Sequence, residues 1–259
     1  MTDSFVIIVP ARAGSTRLPN KPLALINEST VISRIIDLAN SSNAANVYIA
    51  TDSADIAEHC RSCGSNVVMT ASDHVSGMDR IAEAAKIIDL PDDIPVVNLQ
   101  GDEPFMPLEI INQLPTLLSD NFPISTACIK FTDNMDINSP HEVKVVRSVS
   151  KKAMYFSRSV IPNSPNEGSQ NHLKHLGIYA YTNKTLQALS ALKPTANEES
   201  EKLEQLRFLD NGFDIFVQDF KCEAPIGIDT PEDLEAARIF AKKNDCLLYT
   251  SDAADEGLG

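Results

Sequence analysis

Between Pro10 and Lys21 the chain reads Pro-Ala-Arg-Ala-Gly-Ser-Thr-Arg-Leu-Pro-Asn-Lys, which gathers the cations Arg12, Arg17 and Lys21 around a Gly14-Ser15 pair. Cationic side chains offset the charge of a polyanion, and small residues let backbone N–H groups approach phosphate oxygens. Such a turn suits a triphosphate. Two acids on turns complement it: Asp102 in Gln100-Gly-Asp-Glu-Pro104 and Asp229 in Gly227-Ile-Asp-Thr-Pro231. Mg2+ favours carboxylate, water and phosphate oxygens, so the pair could share one such ion while substrates fill the other positions. Taken singly, Asp229 reads more readily as an acid at the start of a helix than as a metal ligand.

These residues need rigid elements to present them. Phe5-Val-Ile-Ile-Val9 is a continuous apolar run, as a central strand buried on both faces should be, and Val47–Ala50, Asn66–Met69 and Pro95–Leu99 read the same way. Between them Val31-Ile32, Ile35-Ile36 and Leu38-Ala39 recur at helical spacing after the cap candidates Ser29 and Thr30. A second helix runs from Ser53 through Ile56, Ala57 and Cys60 to Gly64, and another follows Ser76-Gly77. Strands alternating with helices predict an α/β fold with a mostly parallel sheet. In open sheets of that kind ligands bind outside the carboxyl ends of the strands, where the cationic turn lies.

After Lys130 the rhythm loosens. Phe131 to Pro140 reads as a connection, Pro162 to Gln170 as a polar loop flanked by strand-like Val143–Val146 and Gly177–Tyr181, and Glu198 to Leu209 as one charge-rich helix. Pro231 to Phe240 is a last helix with proline at N1 and acids in its first turn. The expected organisation is one domain over 1–245, with a nucleotide-binding half (1–130), an inserted mixed α/β lobe (131–220) and a closing turn and helix (221–245). Residues 246–259 are set apart, because Cys246 to Glu256 reads as the in-frame translation of a transposon-type sequencing adapter.

Composition narrows the partners. At 259 residues and 43% hydrophobic content the chain can bury a large core. A net charge of −14 opposes binding to nucleic acid or to an anionic membrane surface. No run approaches the ~20 apolar residues of a membrane span, and the first residues lack a basic n-region, so the expected location is the cytoplasm. The five cysteines are odd in number and scattered, which argues for reduced thiols; Cys60 and Cys63 have C-x-x-C spacing but no second pair. His59, His141 and His172 lie in polar contexts that predict solvent exposure.

The motifs Pro10–Leu23, Ser72–Gly77, Asn98–Pro104, Val143–Val146, Tyr155–Arg158, His175–Tyr179, Leu203–Arg207 and Gly227–Leu234, in this order, resemble those of the 3-deoxy-manno-octulosonate cytidylyltransferases (CMP-Kdo synthetases). The resemblance spans Phe5 to Phe240. It implies a Rossmann-like nucleotide-diphospho-sugar transferase fold and transfer of CMP from CTP to the anomeric hydroxyl of Kdo, giving CMP-Kdo and pyrophosphate for lipopolysaccharide biosynthesis. Carried over by position, it implies Pro10, Ala11, Arg12, Arg17, Lys21, Ser76 and Gly77 at the nucleotide, and Asp102 and Asp229 as ligands of Mg2+. Gln100, Arg158, His175, Tyr179, Glu204 and Gln205 fall near the sugar acid; the catalytic set is Arg12, Lys21, Asp102 and Asp229. It further implies a homodimer.

The chain departs from the common pattern at Ala71 and Thr182, where arginine is usual, at Met78 for threonine and at Asn20 for glycine. These changes fit either a divergent enzyme or one for a related sugar such as 8-amino-Kdo. The CMP-sialic acid synthetases share the opening arginine turn, yet Ser15-Thr-Arg-Leu-Pro19 and Glu204-Gln-Leu-Arg207 favour Kdo. A noncatalytic nucleotide-binding relative is the other alternative; the presence of Arg12, Lys21, Asp102 and Asp229 together weighs against it.

Overall fold

A computed structural model describes residues 4–14, 17–163 and 172–255, with side chains described as far as Lys243. The first strand, β1 (Val6–Ala11), leads through the cationic turn and a one-turn 3-10 helix, Lys21–Leu23, into a small hairpin of β2 (Leu25–Ile26) and β3 (Ser29–Thr30). Helix α1 (Val31–Asn40) follows, capped by Thr30, whose hydroxyl accepts from the Ser33 amide. Next come β4 (Asn46–Thr51), α2 (Ala54–Ser62), β5 (Asn66–Met69), α3 (Gly77–Ile87), β6 (Pro95–Asn98) and α4 (Leu108–Gln113). Ser53 caps α2 as expected, and Gly64 beyond its end takes φ +79°.

The remainder comprises β7 (Ile124–Lys130), β8 (Lys144–Arg147), β9 (Ala153–Ser157), β10 (Leu173–Thr182), α5 (Asn183–Ser190), α6 (Ala196–Glu201), α7 (Gln205–Asp210), β11 (Ile215–Phe220) and α8 (Pro231–Asp255). The main sheet runs β11-β7-β10-β6-β1-β4-β5, with β8 pairing β10 and β9. Along that path only β10 runs against the others, so the sheet is mostly parallel. Its two faces alternate along β1: Ile7 and Val9 pack with α1, α4 and α8, while Val6 and Ile8 pack with α3, α5 and α7.

Three expectations change. Glu198 to Leu209 is two helices, because Lys202 takes a left-handed φ of 54° and ends α6 before α7 begins. Helix α8 does not stop near residue 240 or at 245; its backbone continues to Asp255 through a stretch free of proline and glycine. His172 is buried, its Nε2 2.9 Å from the Pro162 carbonyl, and half-buried His59 lies 2.9 Å from the hydroxyls of Thr30 and Ser33. Local polarity carried no sign of these long-range partners; His141 is exposed. The expected polar loop from Pro162 to Gln170 falls largely on 164–171, outside the described residues.

Candidate active site

Strand order brings the two motif turns together. Strands β1 and β6 are parallel neighbours, so the turns leaving them emerge side by side at one end of the sheet. The chain after β1 goes to β4 on one side and later returns to β6 on the other, which makes the β1–β6 boundary a topological switch point where α/β sheets open a crevice. The turns touch closely. A Cβ on Gly101 would lie 2.4 Å from the Pro10 carbonyl oxygen, and one on Gly77 would lie 3.3 Å from the Pro10 ring. Gly77 opens α3, whose capping box joins the Ser76 hydroxyl and the Asp79 side chain to each other's backbone N–H.

Asp102 and Asp229 meet at this crevice. The Ile228 amide donates to the Asp102 carbonyl at 2.9 Å, locking the two turns in register, while Asp233 in the first turn of α8 accepts from the amides of Asp229 and Thr230. Lys21 Nζ stands between the two acids, 2.7 Å from Asp102 Oδ2 and 3.0 Å from Asp229 Oδ1. Arg17 reaches Asp229 Oδ2 at 3.1 Å. Burial pulls the Lys21 pKa down, but Asp102 and Asp229 outweigh it and leave the ammonium more firmly protonated than usual. Burial likewise disfavours the Asp229 carboxylate, and bonds from Lys21 and Arg17 more than reverse that, lowering its pKa. Arg12 is exposed at the mouth of the turn. The usual glycine position 20 holds Asn20 at φ 53°, a left-handed conformation that asparagine tolerates.

The donor set suits a hard divalent ion. Two carboxylates already converge on one cation, and no group of three or more His, Cys, Asp or Glu able to hold a metal occurs among the described residues. Mg2+ is commonly held by one or two carboxylates with phosphate and water completing its shell, whereas a zinc-type cage needs more protein ligands.

Of the residues expected at the sugar, His175, Tyr179 and Gln205 are buried, and Gln100, Arg158 and Glu204 are half-buried. A β-bulge between Leu176 and Tyr179 shifts the pairing of β10 with β7 and turns Tyr179 toward the α7 side. The hydroxyls of Tyr179 and Tyr181 and one oxygen of Glu204 are buried without a hydrogen-bond partner among the described residues. Burial raises the Glu204 pKa against the opposing pull of the Ser76 hydroxyl and Arg207. His175 packs against Phe156 and Tyr179; with Thr126 donating to the Ile178 carbonyl at 2.7 Å, the His175 Nε2–H donates to Thr126 Oγ1 at 3.0 Å. Burial drives its pKa down to about 3, so the ring is neutral. The Gln100 amide donates to Asn98 Oδ1 at 3.3 Å, and its Oε1 faces Gly77.

Arg158 behaves differently from the rest of that set. Its guanidinium is engaged by the carbonyls of Glu201, Pro140 and Lys202 at 2.8, 2.8 and 3.3 Å, so in this arrangement it ties the loop at Pro140 to the end of α6. Gln205 is buried at the start of α7. Two residues that motif reading passes over also stand here. Tyr181 shares the face of Tyr179 by its i+2 position on β10, a signal the sequence did contain. Glu103, beside Asp102, has a buried Oε2 without a partner among the described residues, and burial followed by the charge of Asp102 pushes its pKa up to about 8. Ala71 donates its amide to Glu83, whose carboxylate also bonds His74 at 2.5 Å.

A mostly parallel sheet, a cationic turn after its first strand and paired acids at its switch point define a nucleotide-binding α/β protein of the nucleotidyltransferase class. The chain belongs to the cytidylyltransferase family, whose model matches residues 6–220. It is 45% identical over 239 residues to the 3-deoxy-manno-octulosonate cytidylyltransferase of Polynucleobacter necessarius subsp. necessarius, covering 90% of this chain and 94% of that one. The protein of that name from Herminiimonas arsenicoxydans is 43% identical over 244 residues, covering 91% and 98%. Among solved structures, a CMP:2-keto-3-deoxy-manno-octonic acid synthetase complexed with CTP superposes with a TM-score of 0.86 at 36% identity, covering 93% of this chain and 99% of that one. A cytidylyltransferase from Leptospira borgpetersenii, 16% identical with a TM-score of 0.58, shares the fold.

Proposed function

We propose that the chain transfers CMP from CTP to the anomeric hydroxyl of Kdo, releasing pyrophosphate and supplying CMP-Kdo for lipopolysaccharide biosynthesis. The observation that carries this reading is the convergence of Asp102, Asp229 and Lys21 at the mouth of the β1–β6 crevice, in a chain 43–45% identical to 3-deoxy-manno-octulosonate cytidylyltransferases. Arg12, Arg17 and Lys21 neutralise the triphosphate; Pro10, Ala11, Ser76 and Gly77 line the nucleotide. Gln100, His175, Tyr179, Glu204 and Gln205 hold the sugar acid, with Arg158 bracing the loops around it. Asp102 and Asp229 would hold Mg2+, which when bound supplies a Lewis acid for the α-phosphate and the attacking hydroxyl. Catalysis then rests on positioning and on charge neutralisation, with no side chain required as general base.

Incubation with CTP, Kdo and Mg2+ should release pyrophosphate in step with CMP-Kdo. Nucleotide binding without pyrophosphate above the enzyme-free control would leave a noncatalytic binding protein instead. Running 8-amino-Kdo and sialic acid alongside assigns the sugar. Cytoplasmic location suits the nucleotide substrate, and among the described residues no helix is long and apolar enough to cross a membrane. The β8–β9 branch leaves Val149 in its turn and Met154 on β9 exposed, as a homodimer contact would.

A further inference from the structure

The acid pair already holds a cation that belongs to the chain. Lys21 Nζ bonds the same two carboxylates that would ligate a divalent ion, and its side chain is only 13% exposed against 34% for Asp102 and 52% for Asp229. An ion bound to both Asp102 Oδ2 and Asp229 Oδ1 would contend with the ammonium for the same two oxygens and repel it at contact range. The two occupants are therefore alternatives. Arg17 differs, since it pairs with the outer oxygen of Asp229 from an exposed position and leaves Asp102 alone. Lys21 also has somewhere to go: it starts a single 3-10 turn on the same loop as Arg12 and Arg17, and its four-carbon stem is flexible.

We propose that Lys21 is a placeholder cation: it holds Asp102 and Asp229 together before ligands arrive, keeps free divalent metal off them, and is drawn away by an incoming phosphate. This rests on the reading that these acids are the Mg2+ ligands. It adds an order of events, in which the acid pair becomes open to metal when nucleotide has engaged the cationic turn. Without the placeholder, two carboxylates would face each other beside Glu103, and the ion pair left to them among the described residues would be that of exposed Arg17 with the outer oxygen of Asp229.

The test is Mn2+ binding to the nucleotide-free protein, read from the electron paramagnetic resonance signal of free Mn2+. The unaltered chain should bind weakly, and Lys21→Met should tighten binding at least about tenfold. Arg17→Ala, which removes an equal charge from the periphery, should tighten it about threefold or less. Adding Asp102→Asn to Lys21→Met should abolish the gain, placing the ion at the acid pair. Lys21→Gln keeps a polar side chain and should repeat the gain if the methionine variant folds poorly. Equal affinity in the unaltered chain and both Lys21 variants, or an equal gain from Arg17→Ala, overturns the proposal. If the unaltered chain makes CMP-Kdo but the lysine variants gain nothing, the placeholder alone fails. If neither turnover nor the gain is seen, the transferase reading falls with it.

Discussion

Asp102 is held by one backbone bond from Ile228 and one ion pair with Lys21, so its carboxylate contributes far more to ligand chemistry than to the fold. Asp102→Asn should therefore lower turnover on the order of a thousandfold while the thermal midpoint moves little, because a charged metal ligand is lost from a turn whose backbone bonds remain. Near-normal turnover in that variant would remove Asp102 from the metal site. His175 offers a test of the buried cluster through pH. Its folded pKa of about 3 lies below the unfolded value near 6.5, so protons bind the unfolded chain better and stability falls as pH drops below about 6.5. At pH 5 that amounts to about 2 kcal/mol from this group alone, a loss that His175→Gln should lack. Parallel melting curves from pH 7 to 5 with the same slope in both proteins would show that the ring is not buried neutral. The motifs made most of these residues legible, since each acid or cation sits in a short local pattern. Glu103 was silent because its significance comes from burial, which no local pattern announces.

Among the elements, β1 and β6 with their following turns were readable because both are apolar runs ended by glycine-containing turns. Strands β7 and β11 were not. The Ile124–Lys130 run alternates poorly, and Ile215–Phe220 mixes buried and half-buried positions beside Gln218 and Asp219, so neither shows a clean period of two. Their place in the main sheet depends on β10 crossing between β6 and β7, a long-range pairing that spacing cannot encode. The same limit hid the break between α6 and α7, where Lys202 carries a conformation that costs an L-residue roughly 1–2 kcal/mol. Lys202→Gly should raise stability by about 0.5–1 kcal/mol in denaturant titrations, since its side chain is exposed and its bonds, the N–H to the Glu198 carbonyl and the carbonyl to Arg158, are both made by the backbone that glycine keeps. A loss would mean that the lysine side chain holds the helix break. Gly101→Ala should act the opposite way. Its Cβ would meet the Pro10 carbonyl at 2.4 Å, forcing the β6 turn away from the β1 turn, so activity should collapse and stability fall by about 2 kcal/mol or more. A fully active alanine variant would show that the two turns need not touch.

At the scale of the molecule, the β8–β9 branch stands out because it leaves the main sheet with β8 as the one strand partner of β9 among the described residues. Val149 in the turn between them is fully exposed and Met154 on β9 is 65% exposed, with Val160 beyond the strand also partly bare. The segment thus combines an open strand edge with apolar side chains, a combination that lone soluble domains tend to cover. The same branch reaches the site, since Ser157 and Arg158 at its end bond Glu201 on α6, directly before the turn that carries Glu204. A second copy packed on the branch would bury the apolar side chains and steady that corner at once. Replacing both Val149 and Met154 by aspartate should then convert a dimer into a monomer in sedimentation, with KM for the sugar rising more than KM for CTP, because the nucleotide turn lies on β1. A protein that sediments as a monomer before any substitution would remove the dimer from the proposal. A dimer that survives both aspartates would place its contact elsewhere on the surface.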